Sequence, residues 1–274
     1  MLKISYAVFD PTKNITLLAV SPVARDTQAA AAAELMRRFP EVEQVGFLEP
    51  PDFSGAQLHL QMMGGEFCGN AAMSAAAYLA GQAGLPAGRS AGCSLTVSGA
   101  AGVLTCQVEN TGDFCLGTVA MPLPETVGPI PLPPLNGKSF PEVPAVRFPG
   151  IAHCIVPAER MTRRQAEEII RPLCASLSAD ACGILLWDAA AASFAPLVYV
   201  AATDTAVWES GCGSGSAAIG AYLALQPAAP SETALRQPGG VIRVRAERAG
   251  ARIVRLSITG SVRELTRGEA VLSL

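Results

Sequence analysis

The apolar and polar positions lay out a succession of short strands and a few helices. Ile4 to Phe9 and Ile15 to Val20 predict two strands around the turn Asp10-Pro11-Thr12-Lys13-Asn14. Asp26 or Thr27 is placed to cap a helix that runs through the Ala29–Ala33 stretch to about Phe39, where Pro40 stops it. Val42 to Leu48 predicts a strand, and Ala56 to Met62 alternates as another. Gly64-Gly65 breaks that strand, and a helix from Gly69 to about Ala83 follows, with Gly84 and Pro86 as its stop. Strands are expected near Ser94–Ser98, Val103–Val108 and Phe114–Met121.

Between Pro122 and Pro149 the prolines crowd together, at 124, 129, 131, 133, 134, 141 and 144. They exclude a central strand or a helix interior and predict an extended linker. Beyond it the order repeats: strands at Ala145–Phe148 and Ala152–Val156, then a helix opened by the capping box Thr162-Arg163-Arg164-Gln165 and running to about Leu177. Gly183–Trp187 and Pro196–Ala201 are strands, a helix from Gly213 to about Leu225 ends before Pro227, and Val241–Ala246, Ile253–Thr259 and Val262–Leu265 close the second half. The expected organisation is a first lobe over residues 1–121, a proline-rich linker over 122–149 and a second lobe over 150–274.

The duplication is also visible residue by residue. Cys68-Gly69 and Cys212-Gly213 begin two similar helices, and Ala77-Tyr78-Leu79-Ala80 falls in register with Ala221-Tyr222-Leu223-Ala224. An internal repeat accounts for both matches at once. A helix N-terminus offers unpaired backbone N–H groups and the positive end of a dipole, and the glycine lets a ligand come close. Such an end suits a carboxylate, and its field favours a thiolate. Two such ends across a cleft would hold one carboxylate, with a sulfur on each side of the adjacent carbon. A thiolate on one face removes a proton and a thiol on the other supplies one, which inverts the centre without a metal or organic cofactor.

Composition narrows the partners. The chain has 274 residues, half of them hydrophobic, and a formal net charge of −3. That charge gives no reason to expect nucleic acid or an anionic membrane. The most apolar window, Ala181 to Ala202, is interrupted by Asp188, Ser193 and Pro196, so it predicts a buried strand–turn–strand and no membrane span. The N-terminus reaches Asp10-Pro11 too soon for a signal-peptide core, and a cytosolic location is expected. Eight cysteines without a C-x-x-C pair, and two histidines (His59 and His153), supply poor material for zinc; in a reducing compartment most of these cysteines act as small buried hydrophobes. His59 alternates with Leu58 and Leu60 on a strand face.

Gly65-Glu66-Phe67-Cys68-Gly69-Asn70-Ala71 and Glu209-Ser210-Gly211-Cys212-Gly213-Ser214-Gly215-Ser216 resemble the two active-site motifs of the diaminopimelate epimerase superfamily. The resemblance implies an α/β (α+β) fold of two pseudo-symmetric lobes, each a curved, mostly antiparallel sheet around a central helix. It implies catalysis by Cys68 and Cys212, with Gly69-Asn70 and Gly213-Ser214 as backbone donors to the α-carboxylate. Gly150-Ile151-Ala152-His153-Cys154 is similar to the family's Gly-Asn-Pro-His segment, which implies His153 beside the site, the other reading being an interior strand histidine with its bonds satisfied, and Asn14 matches the asparagine of the opening segment. Glu66 and Glu209 are each open to two readings, a cap on backbone groups or a contact with a substrate amine or imidazole.

The departures bear on substrate. Ile151 replaces an asparagine, and Glu209 is followed by Ser210 where diaminopimelate epimerases carry the arginine that holds a distal carboxylate. A pocket without that arginine does not favour a second amino-acid head group. The Gly-Gly-Glu-Phe-Cys-Gly-Asn form is closer to the histidine racemases of opine-metallophore pathways. Phenazine-type isomerases differ at both motifs, with a histidine at the Asn70 position and a threonine at the Cys212 position. The expected activity is cofactor-independent racemisation of an amino acid, with histidine as lead substrate and a homodimer as the expected assembly. The alternatives are diaminopimelate epimerase, another isomerase of the same fold, or a homologue that binds an amino acid or metallophore without turnover.

Overall fold

A computed structural model describes residues 1–51, 53–227 and 230–273. The chain divides into two compact units, Met1–Met121 with Ile258–Leu274, and Pro122–Ser257.

In the first unit β1 (Leu2–Pro11), β2 (Thr16–Ala19), β3 (Gln44–Glu49), β4 (Leu58–Met62), β5 (Arg89–Val97), β6 (Leu104–Asn110) and β7 (Cys115–Ala120) are hydrogen-bonded in chain order. β16 (Arg252–Leu272) lies next to β7 and pairs with β1 from Leu2↔Leu272 to Pro11↔Val262, which closes a ring of eight strands. Helix α2 (Gly69–Gln82) packs against β1, β2, β5, β6 and β7 of that ring. It is buried almost all round, from Gly69 to Ala77 and again at Ala80. A helix apolar on every side belongs inside a core, and its alanines let the sheet approach closely while favouring helix. Gly117 illustrates the fit: a Cβ there would lie 3.0 Å from Met73 Cβ. A Schellman motif ends the helix, with Leu85 N–H on the Ala80 carbonyl and Gly84 N–H on that of Gly81, both 3.0 Å. Helix α1 (Arg25–Arg38) covers the ring near β3, burying Ala31, Ala32 and Leu35 with Leu17, Val45 and Phe47. It starts one residue before Asp26 and its N-cap is Ala24, which has no side-chain cap; the expected Asp26 or Thr27 caps lie within the first turn instead.

The second unit repeats the pairing scheme. β9 (Val143–Phe148), β10 (Ile151–Pro157), α3 (Arg163–Leu177), β11 (Ala181–Asp188), β12 (Ser193–Val200), α4 (Gly213–Ala224), β14 (Glu232–Gln237) and β15 (Gly240–Ala249) follow the order seen from β1 to β6. In both units the successive pairings are antiparallel, parallel, antiparallel, parallel and antiparallel. Each parallel step needs a crossover, and a helix supplies it. The Thr162–Gln165 capping box is present, and α3 buries Ala166, Ile169, Ile170, Leu173 and Cys174, the spacing of one helical face. Helix α4 takes the place of α2 and packs against β9, β10, β14 and β15.

Two further sequence expectations change. The stretch 122–149 is no linker: β8 (Thr126–Ile130) pairs with β9, and Leu132, Ile130, Leu135 and Phe140 join the core of the second unit. Its prolines fit because Pro129 faces Pro144 at the end of the strand order, where β9 has a neighbour on one side only at that register. The last strand also does not close the second half. From Ile258 onward it belongs to the first unit, because β1 is its partner, and strand alternation cannot say which sheet a strand will join.

Candidate active-site residues

Both motif cysteines are helix N-caps. Cys68 Sγ accepts from the Ala71 N–H at 3.4 Å, and Cys212 Sγ accepts from the Gly215 N–H at 3.3 Å. The carbonyls of the same cysteines accept the first helical bonds, from Ala72 and Ser216, each at 3.0 Å. The two sites thus match bond by bond. Each sulfur lies against the positive end of a helix whose first N–H groups have no acceptor within the helix.

Cys212 is 2 % exposed. Burial pushes its thiol well above the usual range, the Glu209 charge and a hydrogen bond from the thiol to the Glu209 carboxylate push it further, and Ser214 and the Gly215 N–H act in the opposite direction. The helix field alone would lower the thiol, as the sequence suggests; desolvation and an adjacent carboxylate outweigh it here. Cys212 therefore rests protonated at neutral pH, an acid with a carboxylate beside it. Gln237 fixes the backbone: its Oε1 accepts from the Cys212 N–H at 2.6 Å, its Nε2 donates to Ser216 Oγ at 2.9 Å, and Ser216 Oγ donates to the Cys212 carbonyl at 2.7 Å. The strand before the motif, β13 (Thr205–Trp208), is held to α3 through Trp208, whose Nε1 donates to Glu167 at 2.6 Å and whose ring lies 4.6 Å beneath the Arg163 guanidinium.

His153, on β10, is fully buried, with Nε2 2.9 Å from Ser214 Oγ. Burial brings its pKa from 6.5 to about 3, so the ring is neutral at any ordinary pH. A sign follows for stability. As pH falls below 6.5 the unfolded chain takes up a proton that the folded ring refuses until about 3. Stability is complete above 6.5 and declines below it, by close to about 1.4 kcal/mol per pH unit from this residue. Urea midpoints measured between pH 7 and pH 5 should show that slope, and His153→Gln should remove it.

In the first unit Cys68 is half-buried and the neighbouring polar groups form a cluster. Asn70 Nδ2 donates to Asn14 Oδ1 at 3.0 Å, Gln44 Nε2 donates to the same oxygen, and Asn14 Nδ2 donates to the Glu43 carboxylate at 2.9 Å. Burial raises the Glu43 carboxyl, opposed by the Asn14 hydrogen bond and helped by Asp10. Ser98 Oγ donates to the Glu66 carbonyl at 2.8 Å and steadies the approach to Cys68. His59 is elsewhere on its strand, bonded to Thr96 and Gln61.

The residues singled out in the sequence therefore gather into two sets, Cys68, Gly69, Asn70 and Asn14 in one unit and Cys212, Gly213, Ser214, Glu209 and His153 in the other. Among the described residues no group of three or more histidine, cysteine, aspartate or glutamate side chains is arranged to hold a metal ion. No helix among them is long and apolar enough to cross a membrane.

A family model described as the histidine racemase CntK N-terminal domain matches residues 3–271. The chain belongs to this family. The histidine racemase family match spans both units, although the model's description speaks of an N-terminal domain. A histidine racemase of Staphylococcus aureus is 28 % identical over 275 residues, covering 98 % of each chain. A histidine racemase of Fusobacterium nucleatum is 31 % identical over 225 residues, or 80 % of each. Among solved structures, a probable proline racemase from Agrobacterium radiobacter with bound carbonate superposes with a TM-score of 0.72 at 14 % identity, covering 99 % of this chain and 93 % of that one. That likeness concerns the fold, which is shared with racemases and epimerases.

Sequence reasoning missed Gln237, Ser216, Gln44 and Glu43. β14, which carries Gln237, is mostly polar in sequence, so its place in the core was not signalled. Gln44 opens β3 and Glu43 immediately precedes it, and only the fold brings them to Asn14.

Proposed function

We propose that this protein racemises histidine without a cofactor, by two-base proton transfer at the α-carbon. The observation that carries the reading is the pair of cysteine-capped helix starts, each with the sulfur accepting an N–H of the first turn and a glycine next in sequence. The histidine racemase relatives support histidine as the side chain. Inversion by this route needs a base on one face of the α-carbon and an acid on the other. Cys68 and Cys212 are assigned those roles, which exchange with the hand of the substrate. The buried thiol of Cys212, held protonated beside Glu209, is suited to deliver a proton. N–H groups of Gly69, Asn70, Gly213 and Ser214 are assigned to the carboxylate, where they stabilise the charge that develops as the α-proton leaves. Both thiols must stay reduced, which fits a cytosolic setting.

The test is chiral analysis of L-histidine and of D-histidine incubated with the purified protein. Each should give the racemic mixture. Absence of inversion with histidine, when another amino acid in the same panel is inverted, would overturn the substrate; absence with all would overturn the activity.

A further inference from the structure

Three observations in the second unit converge on His153. Its Nε2 is 2.9 Å from Ser214 Oγ, and Ser214 Oγ is 3.6 Å from Cys212 Sγ. Its Nδ1 is buried without a hydrogen-bond partner among the described residues. It faces Gly183, the residue paired with it across β10 and β11, where a Cβ would come within 2.1 Å of that nitrogen. Gly183 thus makes room for the ring and offers Nδ1 no acceptor.

These facts select a tautomer. With the hydrogen on Nδ1, a donor would be buried unsatisfied, which is costly. With it on Nε2, Nδ1 keeps only an unused lone pair, and Nε2–H donates to Ser214 Oγ. The serine oxygen then acts as acceptor toward the ring, and its own hydrogen is left to point at the Cys212 sulfur. We infer that His153 is a positioning residue that works through Ser214, directing the serine hydroxyl onto Cys212 so that the sulfur is stabilised whenever it is the thiolate. The inference rests on the two-thiol reading above. No proton passes along the chain. When Cys212 takes the α-proton, an S–H bond forms, the C–H electron pair stays on the substrate, and Ser214 and His153 keep their hydrogens.

Within this unit, among the described residues, two side-chain influences then act on Cys212 with opposite effects. Glu209 favours the thiol through its charge and hydrogen bond, and the His153–Ser214 pair favours the thiolate. A residue that must serve as acid for one hand and base for the other needs both forms within reach. His153 itself stays neutral and contributes no titration of its own over the working range.

The chain has only two histidines, so ¹⁵N-histidine labelling resolves His153 in a simple spectrum. The expected result is a neutral ring with the hydrogen on Nε2, unchanged from pH 5 to pH 9. A hydrogen on Nδ1 with Nε2 bare would overturn the inference, since Ser214 would then donate to the ring and no longer to the sulfur. In racemisation assays Ser214→Ala should move one limb of the pH profile of kcat/KM upward by about one unit, the size of a modest hydrogen bond to a charged group. His153→Leu should do the same, and the double variant should shift no further. A profile that stays in place in Ser214→Ala would also overturn it. If the unaltered protein inverts no amino acid while the ring shows the Nε2 hydrogen, the proposed function fails and the direction of this hydrogen-bond chain stands.

Discussion

Cys68→Ala and Cys212→Ala are each expected to lower histidine racemisation by about three orders of magnitude or more, the upper part of the range for loss of a positioned acid or base. On the proposed route each variant removes one of the two groups through which a proton enters or leaves, and the remaining sulfur would serve only one face of the α-carbon. The two changes should therefore not add: the double variant should be no slower than the worse single one, because the groups act as a unit. Folding should survive. Each cysteine caps its helix through one N–H···S contact, and loss of a cap costs about 1 kcal/mol. Chiral chromatography gives the rates, and urea denaturation separates lost chemistry from lost structure. Cys93→Ala, in β5, is the control and should leave the rate unchanged. Substantial inversion by either alanine variant would contradict the two-thiol assignment.

Gly99→Ala is expected to be the most destabilising single-methyl change near the first motif. Gly99 has φ +70°, a left-handed conformation that costs an alanine about 1–2 kcal/mol. A Cβ there would also lie 2.3 Å from the Phe67 backbone nitrogen and 2.7 Å from the Glu66 carbonyl carbon, contacts that no side-chain rotation relieves. Overpacking of this kind adds about 1–3 kcal/mol, for a total of about 2–5 kcal/mol. The segment that must shift leads directly into Cys68, so racemisation should fall as well. Gly102→Ala separates the two causes: its φ is +74° but a Cβ there meets open space. Its midpoint should drop by the conformational part alone, about 1–2 kcal/mol. Equal losses in the two variants would show that the backbone contact at Gly99 carries no weight.

Helices α2 and α4 were legible in the sequence nearly to the residue, because each is bounded by strong local signals, a glycine start and a Gly84 or Pro227 stop. Their paired cysteines were legible for the same reason, since duplication keeps local sequence in register. What the sequence hid depends on partners far along the chain. Arg252–Leu272 alternates in a way that fits either half, and only its pairing with β1 assigns its end to the first unit. β8 hid behind prolines whose tolerance depends on facing one another beyond the neighbouring ladder. Gln237 meets Cys212 through tertiary folding, and no spacing rule connects them. The direction of the Cys212 shift was likewise out of reach. A helix start suggests a lowered thiol, and only the burial and the Glu209 contact reverse it.

Two monoprotic thiols acting on one α-carbon, as proposed, leave an isotopic signature. L-histidine and D-histidine are each incubated with the protein in D₂O, and α-proton content is followed separately in substrate and product at early times. The base that removes the proton differs from the acid that supplies the next one, so the product of opposite hand should carry deuterium from its first appearance while the remaining substrate keeps its proton. Deuterium entering the substrate as fast as the product, or the substrate's own proton surviving in the product, would contradict the account.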